Sequence, residues 1–240
     1  MKIALINASP KMNQSASATL LEELQLSISE TAEVTETALH TSVISEEMWE
    51  KLKSADVWVF SCPLYVDGIP GHLLSCLMQL EKAKWQEREI RVYGIVNCGF
   101  YEGIQAKFAL ALLKNWCEKS GFLYAGGIGV GGGGGLAQMP KVQGGHGPRG
   151  PIEKALQAMA VSILVSNGGQ FFFQRFHTFI QRRLPIPKEQ RPVELFICGY
   201  HLRQQWAQLV VRNFFHQSSG GQTLFFCRDF FHGRSGGVHR

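Results

Sequence analysis

The chain has 240 residues and a mass of 26.8 kDa, with 45% hydrophobic residues, 18% charged residues and a formal net charge of +5. This length can bury a full core, and the composition excludes wholesale disorder. No apolar run reaches the roughly 18 to 20 residues of a membrane span, and the apolar stretch after Met1-Lys2 lacks the flanks of a signal peptide, so a soluble, cytoplasmic protein is expected.

The apolar run Ile3-Ala4-Leu5-Ile6 reads as a buried strand. It ends in a hydroxyl-rich turn, Asn7-Ala8-Ser9-Pro10-Lys11-Met12-Asn13-Gln14-Ser15-Ala16-Ser17. Leu20, Leu21, Leu24 and Ile28 then recur at helical spacing, so the turn opens an amphipathic helix. Glu33 to Leu39 is a strand candidate, and Ser45-Glu46-Glu47 caps a short helix to Ser54. Asp56 to Ser61 is a buried strand, followed by the loop Cys62-Pro63-Leu64-Tyr65-Val66-Asp67-Gly68-Ile69-Pro70 and a helix from Gly71 to Lys84. The unit repeats as a strand at Arg91 to Val96, a loop at Asn97 to Gly103 and a helix at Ile104 to Ser120. Phe122 to Val130 is a fifth strand, and helical periodicity returns from Pro151 to Val165. Alternating strands and helices predict an α/β fold whose parallel sheet is covered on both faces. In such sheets a ligand sits beyond the carboxyl ends of the strands, where the three unusual loops would meet.

Each loop has a chemistry of its own and a plainer alternative. In the first, Ser9, Asn13, Ser15, Ser17 and Lys11 offer hydroxyl, amide and cationic donors at a helix start, which suits a phosphate monoester. Neither the P-loop pattern nor G-x-G-x-x-G is present, and taken alone the segment is equally well a decorated helix cap. In the second, Tyr65 offers a flat wall and the backbone of Val66 to Gly68 offers donors and acceptors to a heteroaromatic edge, although a surface turn with a core tyrosine is the commoner case. In the third, Gly99 permits close backbone approach and Phe100 and Tyr101 add aromatic surface. Six cysteines without a C-x-x-C pair give no metal site and fit buried thiols in a reducing compartment. Cys98 is read as a packing residue rather than a redox thiol, and Glu102 as an acid favoured by the following helix start.

Taken in order, Asn7-Ala8-Ser9-Pro10-Lys11-x-x-x-Ser15-Ala16-Ser17, Pro63 to Pro70 and Asn97-Cys98-Gly99-Phe100-Tyr101-Glu102 resemble the flavodoxin-like NAD(P)H-dependent FMN reductase family. The resemblance runs through Gly126 to Gly132 and Gly147-Pro148 and covers about residues 1–168. It implies a three-layer sandwich with a five-stranded parallel sheet in the order 2-1-3-4-5. It also implies an FMN phosphate on Ser9, Lys11, Ser15, Ala16 and Ser17, and a flavin ring lined by Pro63, Leu64, Tyr65, Val66 and Asp67. The ring's pyrimidine edge would face Asn97, Gly99 and Phe100, with Tyr101 a further candidate. Ala8 stands where a glycine is usual in the family. The expected activity is a ping-pong transfer from NADPH or NADH through FMN to a small-molecule acceptor: a quinone, a nitro or azo compound, free flavin or a metal ion. The alternatives are a flavodoxin-like electron carrier or redox sensor, and a scaffold that has lost its flavin; a homodimer is a further expectation.

Two segments stay open. Ala125 to Gly135 holds eight glycines and reads either as a mobile flap beside the flavin or as a poorly ordered surface loop, with His146 solvent-exposed beyond it. Residues 170–240 carry ten of the 24 Lys+Arg, three of the 19 Asp+Glu and twelve of the 16 phenylalanines, which places a boundary near Asn167-Gly168-Gly169. The division is a flavodoxin-like domain at 1–168 and an aromatic, basic extension at 169–240. Phe171 to Ile180 and Leu202 to Phe214 read as amphipathic helices that pack on the body or a dimer interface, or else meet an anionic membrane or acidic partner. Nucleic acid is the less favoured partner.

Overall fold

The computed structural model describes residues 1–83, 85, 89–136 and 149–165, and the backbone of residues 193–196. Its elements in chain order are β1 (Lys2–Asn7), α1 (Ala16–Ile28), β2 (Glu33–Ala38), α2 (Glu46–Ser54), β3 (Val57–Pro63), α3 (Gly71–Lys82), β4 (Arg91–Asn97), α4 (Lys107–Ser120), β5 (Leu123–Val130), α5 (Gly150–Leu164) and β6 (Val193–Phe196). A short 3₁₀ turn at Gly103–Ala106 precedes α4, and another at Gly133–Gly135 follows β5. The first five strands are parallel and lie in the expected order 2-1-3-4-5. A sixth strand, β6, comes from the C-terminal extension and pairs antiparallel with β5, Val193 facing Val130 and Phe196 facing Gly127. The two expected amphipathic helices of the extension, the boundary near residue 168 and His146 lie outside the described residues.

The central strands β1, β3, β4 and β5 are buried on both faces, as near-continuous apolar strands require, whereas the edge strand β2 is largely polar and only partly covered. Along β3 the pleat alternates: Val57 and Val59 enter the cluster under α1 and α5, whereas Trp58 and Phe60 enter the cluster under α2, α3 and α4. The second cluster is rich in aromatic rings. Trp58 meets Phe60 edge to face at 6.2 Å and Trp85 at 5.0 Å, and Trp116 lies 5.1 Å from Phe122. The indole N–H groups have partners, Trp58 donating to Leu52 O at 3.1 Å and Trp116 to Leu77 O at 3.0 Å. On the other face Arg149 and Glu23 form a buried ion pair that ties the start of α5 to α1. Among the described residues no helix is long and apolar enough to cross a membrane.

The glycines of β5 have a structural reason. Ile128 and Val130 fill the α1/α5 core, while Gly127, Gly129 and Gly131 fall on the opposite face, two residues apart. A Cβ at Gly127 would lie 2.7 Å from Leu110 Cδ2, one at Gly129 would strike the Gly103 carbonyl, and one at Gly131 would strike the Tyr101 carbonyl. This side-chain-free track lets α4 and the loop before it sit against the sheet. Neither reading of Ala125 to Gly135 therefore holds: the first part is β5 and the rest is bonded to the loop after β4, while residues 137–148 lie outside the described residues.

Candidate functional site

Three loops leave the carboxyl ends of β1, β3 and β4, and one side chain joins them. Asn97, the last residue of β4, is 6% exposed; its Nδ2 donates to Ser17 Oγ at 2.8 Å and to Cys62 O at 3.1 Å. Its backbone carbonyl accepts from the Leu64 N–H at 2.7 Å. Both amide protons are thereby committed to neighbouring loops, so Asn97 positions the site rather than presenting its N–H groups outward. Sequence reading placed this residue at the site but not in that role.

The first loop is internally braced. The Ser9 N–H donates to Asn7 Oδ1 at 3.1 Å, the Lys11 N–H to Ser9 Oγ at 3.2 Å, and the Ala18 N–H to Ser15 Oγ at 3.1 Å, which caps α1. His40, just beyond β2, stands with Nδ1 2.6 Å from Ser9 O; because a carbonyl only accepts, that nitrogen carries the proton. No sequence signal pointed to His40. Ser9, Ser15 and Ser17 are buried, and each of their hydroxyls accepts a protein N–H, which leaves its own proton free to donate. The backbone N–H groups from Met12 to Ser17 have no protein partner among the described residues. Gln14 adopts φ of 42° at the turn into α1. A loop rich in unpaired donors, running from buried Ser9 through exposed Lys11, Met12, Asn13 and Gln14 to buried Ser15, with the positive end of a helix behind it, has the chemistry of an anion cradle. Ala16 sits in the first turn of α1, within this row of donors.

In the second loop Tyr65 and Gly68 exchange two backbone hydrogen bonds, at 3.0 and 2.9 Å, around Val66 and Asp67. Their φ values of 47° and 59° make this a turn with both central residues left-handed, a conformation disfavoured for β-branched valine. The turn pushes the backbone of Val66 and Asp67 to the surface; Val66 is fully exposed and Tyr65 is 46% exposed. Tyr65 is therefore a surface ring rather than a core one. Pro63 and Leu64 are half-buried at the root of the loop.

The third loop is held by the glycine segment. The Cys98 N–H donates to Val130 O at 2.9 Å, the Gly133 N–H to Cys98 O at 2.8 Å and the Gly132 N–H to Phe100 O at 2.6 Å. Gly99 has open space where a Cβ would stand. Phe100 and Tyr101 point their rings into solvent, 60% and 61% exposed. Cys98 is buried, its thiol lies 3.6 Å from the carbonyls of Phe100 and Glu102, and burial pushes its pKa up. Burial of this kind disfavours the reactive thiolate and suits a packing group.

Comparison with known proteins supplies the frame for this geometry. Residues 1–75 match the model of a protein family described as having a flavodoxin-like fold. The fold is flavodoxin-like. An NAD(P)H:quinone oxidoreductase from Methanothermobacter marburgensis superimposes on 70% of this flavodoxin-like chain and 98% of its own, with a TM-score of 0.52 and 16% identity. An FMN-dependent NADH-azoreductase from Bacillus anthracis, solved in complex with FMN, covers 69% of this chain and 100% of its own, with a TM-score of 0.48 and 16% identity. No curated protein matches the chain by sequence. In a flavodoxin-like sheet the three loops described above stand at the carboxyl edge where the strand order reverses, the usual place for a nucleotide.

Proposed function

We propose that the protein is an FMN-dependent NAD(P)H oxidoreductase that passes electrons from a nicotinamide through bound FMN to a small-molecule acceptor. The observation that carries this reading is the row of unpaired N–H groups from Met12 to Ser17, combined with three buried serine hydroxyls and Lys11. That donor set fits a phosphate dianion. Pro63, Leu64, Tyr65, Val66 and Asp67 would line the ring, with the outward backbone of the Tyr65–Gly68 turn meeting its polar edge. The open space beside Gly99 admits the edge of a planar group, and Phe100 stands next to it. FMN, when bound, supplies the hydride acceptor and donor, so the chain needs no acid and base pair of its own. The residues bind the phosphate, orient the ring and keep one face accessible. The quinone oxidoreductase of similar fold agrees with this assignment.

Equilibrium titration tests it. Free FMN added to the purified protein should lose fluorescence with saturation at one flavin per chain, and riboflavin, which lacks the phosphate, should bind at least tenfold more weakly. Equal affinity for the two would remove the first loop from the site.

A further inference from the structure

The peptide unit between Ser9 and Pro10 works against an anion in the first loop, because proline has no N–H and the unit offers a carbonyl without a donor. Ser9 is 2% exposed, so an unengaged carbonyl there would be costly in itself and repulsive beside a phosphate. That oxygen is engaged: His40 Nδ1 donates to it at 2.6 Å. Ser9 is thereby held at three points, its N–H donating to Asn7 Oδ1, its Oγ accepting from the Lys11 N–H and its carbonyl accepting from His40.

His40 is itself fixed from behind. It lies in the segment 39–44 that leaves β2, whose two ends, Leu39 and Ile44, are buried in the core. The Leu39 N–H donates to Asn7 O at 2.8 Å, which continues the β1–β2 ladder past the end of the strand. From α3, Gln79 Nε2 donates to Ser42 O at 2.6 Å, Gln79 Oε1 accepts from the Ile44 N–H at 3.3 Å, and the Cys76 thiol lies 3.3 Å from Thr41 O. A brace therefore runs from α3, the helix behind the second loop, through segment 39–44 to the first loop, and it uses none of the bonds made by Asn97.

We propose that His40 is a positioning residue for the phosphate: it keeps the Ser9 carbonyl occupied, so that this oxygen does not face the bound anion, and it fixes the start of the donor row. This rests on the FMN reading above and extends the site to a fourth loop, the one after β2. Neutral imidazole protonated on Nδ1 and the imidazolium both carry the proton the brace needs, so the contact does not depend on a change of charge. The flavin ring is assigned to the second and third loops, so loss of the brace should affect the phosphate part of the affinity and spare the rest.

The test compares the full-length protein with His40→Leu, His40→Asn and Gln79→Leu. The first removes the donor, the second returns an N–H donor close to the place of Nδ1, and the third loosens segment 39–44 without touching His40. Dissociation constants for FMN and for riboflavin are read from flavin fluorescence, and urea midpoints show that each variant is folded. The brace predicts that His40→Leu weakens FMN binding about tenfold, the scale of one hydrogen bond, and riboflavin binding by less than about twofold. His40→Asn should recover most of the FMN affinity, and Gln79→Leu should weaken FMN selectively by a smaller factor. Unchanged FMN affinity in folded His40→Leu, equal losses for FMN and riboflavin, or a His40→Asn variant as weak as His40→Leu would each overturn the brace and leave the FMN reading standing. Wild-type protein that takes up no FMN would overturn that reading, and the brace with it.

Discussion

Asn97 and Ser17 lie 80 residues apart in sequence and 2.8 Å apart in the fold, the amide of the first donating to the hydroxyl of the second. The same amide reaches Cys62 O, and the same residue's carbonyl holds Leu64, so the loops after β1, β3 and β4 share one fixed point. Replacing Asn97 with Ala leaves a buried hydroxyl and a buried carbonyl short of donors. The expected loss is about 1–3 kcal/mol of stability, read as a lower urea midpoint, together with weaker FMN binding. Asn97→Asp, which keeps the shape and loses the donors, should behave like Asn97→Ala. Wild-type stability in both would show that Asn97 joins nothing.

Lys11 and Ser15 separate charge from capping in the first loop. Lys11→Ala removes an exposed cation beside the cradle and should weaken FMN binding several-fold at low salt, with a smaller effect as salt screens the phosphate, while leaving the melting temperature unchanged. Ser15→Ala should weaken FMN binding and also lower stability by about 1 kcal/mol, because its hydroxyl caps α1. Equal thermal stability of the two variants would contradict the capping role.

Gly131 should be intolerant of a single methyl group. Its Cβ would strike the Tyr101 carbonyl, so Gly131→Ala must move the third loop or the end of β5, at a cost of about 1–3 kcal/mol. A methyl group added at Gly134, three residues on, would have nothing within 4 Å, and Gly134→Ala should be near neutral. Thermal melts of the two variants make the comparison.

The buried thiols make stability fall in alkali. Burial raises the Cys62 pKa from 9.0 to about 12 and that of Cys76 to about 11. The unfolded chain therefore releases these protons at a lower pH than the folded one. Their contribution is fully present below about pH 9 and is lost progressively as pH rises toward 11 and 12. Urea midpoints measured between pH 8 and pH 11 should decline, and the decline should be shallower in Cys62→Ala after subtraction of its lower starting stability.

The strands and helices were legible because their signals are local, apolar runs and capping serines such as Ser15 and Ser45, whereas the order of the first five strands followed only from the family resemblance. The loops were legible as donor-rich or aromatic, which made them the candidate site. What stayed hidden depends on contacts between distant segments. Nothing near Asn97 in sequence announces Ser17, nothing near His40 announces Ser9, and Glu23 and Arg149 pair only once α1 and α5 lie side by side. The alternating glycines of β5 were read as flexibility because their partners, the carbonyls of Gly103 and Tyr101, belong to another loop. β6 is four residues long, too short for periodicity to distinguish it from the surrounding extension.

The most direct measurement is anaerobic titration of the FMN-loaded protein with NADH and, separately, NADPH, followed through the flavin's visible absorbance. Bleaching at one equivalent of reduced nicotinamide, with colour restored by one equivalent of naphthoquinone, is the expected result. Protein that stays colourless after incubation with FMN, or that keeps its flavin oxidised in excess of both nicotinamides, would contradict the proposed function.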